Sequence, residues 1–292
     1  MLEQKGSGSV SSVCYNERNG SVSEWFKEHA WKACKGQLFG GSNPLTSAIK
    51  DARELFDMTL DEIREVFGQH ADAERGERDK KYMRNLFPHY GVRASERDKL
   101  FKPLWDSKTD PLDWQLVFDL WNEDMREMQY IAVWYLHTRK DQLTKSDIPN
   151  LKKLAQTKQW WDTIDGMCGL FGDLAQNDES VKQTMLEWST DDDFWIRRIA
   201  IQHQLHLRDK TDTELLAKTI KNNFGEKERS SPSTDGLNQE QNRAFFINKS
   251  IGWVLREYAK TNPGWVRKFI DENKDRMAKL SVREASKHLG KK

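Results

Sequence analysis

A chain of 292 residues is long enough to bury one large core or two ordinary ones. Only 37% of its residues are hydrophobic and 32% are charged, with a mean hydropathy of −0.86, and no apolar run reaches membrane-spanning length. Three cysteines, Cys14, Cys34 and Cys168, with no CxxC spacing argue against a disulfide framework or a zinc site and for a reducing compartment. The N-terminus lacks the charged-then-apolar layout of a secretory signal, so the expected location is cytoplasmic, nucleoid or nuclear, not secreted.

In chain order, residues 1–45 read as a flexible extension, rich in Ser and Gly, with one short helix possible over 24–35. From Leu45 onward apolar residues recur at three and four, and Asn, Asp, Ser, Thr, Pro or Gly punctuate the segments. This predicts helices near 46–67, 71–87, 94–105, 111–122, 124–138, 145–156, 160–175, 179–189, 192–207, 211–223, 240–259, 263–274 and 280–289. Connections are short except at about 225–240, a polar stretch that reads as a loop insertion. The domain expected is therefore all-α and runs over 46–292.

A weak internal repeat accompanies the helices. Apolar helices begin near Asp124, Trp160, Asp193 and Phe245, each after an amphipathic partner. Trp121, Trp161 and Trp195 follow at 40 and 34 residues, and Trp253 fits a similar step once the loop is discounted. Such periods suit stacked HEAT-like helical repeats, an α-solenoid with a concave surface. Charge is unevenly spread: residues 51–79 hold ten Asp/Glu against four Lys/Arg, and residues 245–292 hold twelve Lys/Arg against five Asp/Glu. A basic C-terminal part can neutralise phosphates although the net charge is only +1. Most of the twelve Trp are expected to fill the core.

Four ordered segments are more specific. They are residues 82–87 (Tyr-Met-Arg-Asn-Leu-Phe), 160–165 (Trp-Trp-Asp-Thr-Ile-Asp), 194–201 (Phe-Trp-Ile-Arg-Arg-Ile-Ala-Ile) and 245–263 (Phe-Phe-Ile-Asn-Lys-Ser-Ile-Gly-Trp-Val-Leu-Arg-Glu-Tyr-Ala-Lys-Thr-Asn-Pro). Together they resemble the AlkD-type DNA alkylation repair family. The resemblance implies a HEAT-like fold whose concave surface binds DNA, and removal of N3- and N7-alkylated purines from the duplex, leaving an abasic site. It places the catalytic carboxylate on Asp165 and the aromatic cleft on Trp161 and Trp253, with Tyr82 nearby. It places a DNA contact on Arg198. Lys249 and Arg256 are expected to meet phosphates. Residues 93–98 (Arg-Ala-Ser-Glu-Arg-Asp) depart from the family pattern, with Asp98 where a basic residue is common.

The chemistry is coherent. An alkylated purine already carries positive charge and leaves without a general acid. The sugar then develops positive charge, which a carboxylate and aromatic faces stabilise, and the carboxylate can hold the attacking water. Trp161 and Asp165, four apart, share a helix face, whereas Asp162 suits a first-turn acid. His203 and His206 lack a third ligand, so no metal site is expected, and no Gly-rich loop supports a nucleotide cofactor. No cofactor, no membrane association and a monomer on double-stranded DNA are the expectation. The competing reading is a non-catalytic HEAT-repeat protein that binds branched or distorted DNA, with a protein-interaction scaffold as a third.

Overall fold

A computed structural model describes residues 59–101, 111–226 and 238–290. The expected extension 1–45, the start of the first predicted helix and most of the 225–240 insertion lie outside them. Among the described residues there are thirteen α-helices and no strand. They are α1 Leu60–Gln69, α2 Ala73–Tyr82, α3 Ala94–Phe101, α4 Trp114–Asn122, α5 Arg126–Thr138, α6 Ile148–Ala155, α7 Trp161–Asn177, α8 Glu179–Trp188, α9 Phe194–Gln202, α10 Thr213–Lys221, α11 Gln239–Tyr258, α12 Pro263–Asn273 and α13 Lys279–Ala285. No helix among them is long and apolar enough to cross a membrane.

Local chemistry sets these boundaries. Short acceptors open the helices: Asp113, Asp178, Asp193 and Asp212 each take a first-turn N–H, and Thr59 forms a capping box with Glu62. Each such cap contributes about 1 kcal/mol. The second helix is shorter than predicted because Arg84 and Asn85 adopt φ of 58° and 60°, which halts it after Tyr82. The stretch predicted as one helix over 145–156 divides into a 3₁₀ turn, Lys145–Asp147, and α6, with Pro149 in the first turn of α6.

The helices form an α-solenoid. Along one layer α5, α7, α9, α11 and α13 pack in succession, and α4, α8, α10 and α12 pack against members of that row. Polar bonds tie successive repeats. Trp121 Nε1 donates to Thr157 Oγ1 at 3.0 Å, Lys152 Nζ to Asp191 at 2.9 Å, and Ser281 Oγ to the Asn248 carbonyl at 2.8 Å. Their separations of 36, 39 and 33 residues give the repeat its length directly. The tryptophan spacing mixes layers, however: Trp121 sits on α4, whereas Trp161, Trp195 and Trp253 sit on α7, α9 and α11. The predicted starts near Asp124, Trp160 and Asp193 mark α5, α7 and α9 of one row instead, whereas Phe245 lies inside α11, which begins at Gln239.

Two glycines let this row close up. A methyl group on Gly172 of α7 would lie 2.1 Å from the His203 carbonyl oxygen, and one on Gly252 of α11 would lie 2.5 Å from Glu284 Cβ on α13. Gly172→Ala is therefore expected to destabilise the fold by about 1–3 kcal/mol through forced separation of backbone. Gly68→Ala on α1, where nothing lies within 4 Å, should be neutral or stabilising by up to about 1 kcal/mol. Urea unfolding of the two variants side by side checks this; equal midpoints would refute the packing account.

Candidate active site

Helix α7 opens after Trp160, whose backbone is extended and whose side chain supplies no cap. The Trp160 indole is instead buried, edge-on to Trp195 at 5.9 Å and to Phe246 at 5.2 Å. This apolar anchor fixes where the helix starts, and so where its first turn points. Trp161 is half-buried and meets Tyr82 edge-on at 6.2 Å, while Tyr82 is 69% exposed. One turn later Asp165 lies on the same side.

These residues line a cleft of about 340 Å³ formed by Tyr82, Arg84, Trp160, Trp161, Asp165, Arg198, Phe245, Phe246, Lys249 and Trp253. Phe246, Lys249 and Trp253 reach it from one face of α11, at helical spacing. Six of the seven expected site residues are thus brought together; Arg256 is not among the lining. A polar cleft of about 370 Å³ near the end of α11, lined by residues including His206, Arg208, Glu257 and Lys260, is slightly larger. It lacks the buried carboxylate set among indoles, so chemistry rather than size singles out the first.

Asp165 and Arg198 form a buried fork. Arg198 Nε donates to Asp165 Oδ1 at 2.7 Å and Nη2 to Oδ2 at 2.8 Å, while Nη1 donates to the Phe246 carbonyl at 2.6 Å. Oriented to satisfy its neighbours, the Gln202 amide donates to Asp165 Oδ1 at 2.9 Å and accepts from Ser250 Oγ and Arg198. Arg198, expected to contact DNA, is turned inward: its side chain is 3% exposed and its donors are spent on α7 and α11. It holds the carboxylate rather than presenting a free cation.

Asp162 is held differently. Arg126 Nε and Nη2 fork onto its two oxygens at 2.9 and 2.6 Å, and Tyr130 Oη donates at 2.7 Å. Arg126, fully buried, also donates to the Lys158 carbonyl and Thr163 Oγ1 and stacks on Phe87 at 3.8 Å. Burial pushes the Asp162 carboxyl up, but Arg126 and Tyr130 outweigh it and leave its pKa below the usual range. Burial also pushes Asp165 up. There Arg198 offsets only part of the effect and the Asp162 charge adds to it, so its pKa stays raised. The reading of Asp162 as a first-turn acid agrees with this position.

Lys249 and Arg256 converge on Glu284 of α13, at 3.0 and 2.6 Å, joined by Lys287 at 2.7 Å. Burial raises the Glu284 carboxyl, but Lys287 and Lys249 prevail and set its pKa at about 2. Among the described residues no group of three or more His, Cys, Asp or Glu could hold a metal ion. His203 is buried, its Nδ1–H donating to the Ala200 carbonyl at 2.8 Å, and desolvation lowers its pKa to about 4. Sequence reasoning missed Arg126, Tyr130, Gln202 and Glu284. Only Gln202 carried a usable signal, its position four residues after Arg198 on one helix.

A helical-repeat protein with a single, partly buried carboxylate in an aromatic, cation-flanked cleft is the class that fold and site define. The profile of the family described as DNA alkylation repair enzyme matches residues 63–289. A solved structure described as a predicted DNA alkylation repair enzyme from Enterococcus faecalis superposes with a TM-score of 0.65 at 30% identity, covering 76% of this chain and 98% of the other. No curated protein gives a significant match. The chain belongs to the DNA alkylation repair enzyme family.

Because its folded pKa of about 2 lies below the ordinary glutamate value, Glu284 stabilises the fold above about pH 4.5 and that contribution is lost as pH falls through 2. The stability gap between the parent protein and Glu284→Gln should thus be widest near neutrality and close in acid. A gap independent of pH would contradict the ion cluster.

Proposed function

We propose that the protein is a monofunctional DNA glycosylase that hydrolyses the N-glycosidic bond of N3- and N7-alkylated purines in duplex DNA and leaves an abasic site. One observation carries this reading: among the described residues, Asp165 is the single carboxylate lining a cleft otherwise made of aromatic rings and cations. Hydrolysis of an ordinary glycoside uses two carboxyl groups, one to protonate the leaving group. A lone carboxylate suits a base that already carries positive charge and departs without a proton.

The side chains divide the remaining work. Three of about four lone-pair directions on Asp165 are taken, two by Arg198 and one by Gln202. The direction left, on Oδ2, can hold a water or face the sugar. Negative charge on Asp165 stabilises positive charge developing on the deoxyribose, in a site where burial strengthens the interaction. The indoles of Trp161 and Trp253 offer electron-rich faces to the same charge. Arg198 holds the carboxylate in place and favours its ionised form. Exposed Tyr82, edge-on to Trp161, stands at the mouth.

Asp165→Asn should keep duplex affinity and lose base release from N-methylated duplex by about 100-fold or more. Chromatography of the freed bases measures the loss; release at the parent rate would remove Asp165 from the chemistry. Because burial raises the Asp165 pKa and the ionised form is the active one, activity should decline as pH falls, with the inflection above the ordinary aspartate range. Single-turnover rates across pH, corrected for spontaneous depurination, check this. An inflection below the ordinary range would overturn the electrostatic account.

A further inference from the structure

Helix α2 ends in a reversal that is unusual for its sequence. Asn85 N–H donates to the Lys80 carbonyl at 2.8 Å and Arg84 N–H to the Lys81 carbonyl at 3.1 Å, the paired bonds of a Schellman turn. Arg84 occupies the left-handed position of that turn, with φ 58°, where glycine is the usual residue. Asn85, also left-handed, is a residue type that tolerates the conformation; arginine has no such local compensation.

The side chain held at this strained position lines the cleft. It is half-buried and makes no hydrogen bond or ion pair with any described residue. The other cations lining the cleft are committed, Arg198 to Asp165 and Lys249 to Glu284. An uncommitted guanidinium would repel a cationic base brought into the cleft unless an anion neutralised it. The anion available on a DNA substrate is the phosphodiester, which guanidinium binds well in bidentate geometry. Strain kept at a site is also how backbone geometry that serves binding is recognised.

We propose that Arg84 anchors a backbone phosphodiester of the DNA strand lying over the cleft, and that the left-handed turn is retained because it delivers this side chain there. The inference rests on the glycosylase reading for its substrate. The test compares the parent 292-residue chain with Arg84→Gly and Arg84→Lys on an N-methylated duplex, measuring melting temperature, base release and the salt dependence of affinity. Glycine suits the turn, so Arg84→Gly should melt at or above the parent temperature while affinity falls about 10-fold and the slope of log affinity against log salt shrinks by about one. Arg84→Lys should recover most of the slope. Parent-like slope and base release in Arg84→Gly would overturn the anchor, as would a lower melting temperature with losses that lysine does not rescue. A parent protein that binds DNA with the expected Arg84 dependence but frees no base would leave the anchor standing and overturn the glycosylase reading. Absence of DNA binding by the parent protein would overturn both.

Discussion

Helix α7 is gripped within its first two turns by two arginine forks, one from each neighbour in its row. Arg126 of α5 holds Asp162, and Arg198 of α9 holds Asp165. Burying such pairs costs several kcal/mol per ion before their attraction is counted, and hydrophobic replacements are often no less stable. Their value here lies in direction. A fork fixes distance and plane together, and two forks three residues apart leave the start of α7 little freedom to rotate. Arg198 also reaches the Phe246 carbonyl on α11, so one guanidinium ties three successive helices of the row around the cleft.

The same economy of charge governs the C-terminal part. Its excess of basic residues suggests a uniformly positive surface, but Glu284 gathers three of the cations around one buried carboxylate. The cluster keeps a net positive charge while each ammonium or guanidinium is held by a common partner. Gly252 makes this possible, because only a residue without a side chain lets α11 approach Glu284 so closely. Packing and electrostatics meet at that contact: the close approach that buries Glu284 also sets it within reach of Lys249 and Arg256.

Much of this was legible in the sequence. Helices announce themselves through periodicity and through Asp, Asn and Thr caps, and the cleft residues lie in segments whose residue order is distinctive. What stayed hidden depends on pairs far apart in the chain. Asp162 and Arg126 are 36 residues apart, and no local pattern links them. Glu284 reads as an ordinary acid in a basic stretch until α13 is laid against α11. The stop after Tyr82 was missed for a different reason. Helix-ending signals rely on glycine, and this chain places arginine in the left-handed position instead. The tryptophan period pointed to the right fold but mixed layers at one step, because Trp161, Trp195 and Trp253 lie in one row whereas Trp121 lies on α4.

Asp162 and Asp165 show how a repeat fold can give one residue type two environments on one helix. Both are nearly buried and both are forked by arginine. Asp162 receives an added donor from Tyr130, and its charge is locked in as part of the scaffold. Asp165 receives no tyrosine, feels the charge of Asp162, and is held nearer to the edge of protonation. Environments that push two carboxyl pKa values apart are how acid–base roles are separated. Here the difference comes from the helices on either side: α5 contributes both an arginine and a tyrosine, while α9 contributes an arginine and an amide. Stacking unlike neighbours against a common helix is what a solenoid does at every step, so two carboxylates with opposite pKa shifts can arise one turn apart from the architecture alone.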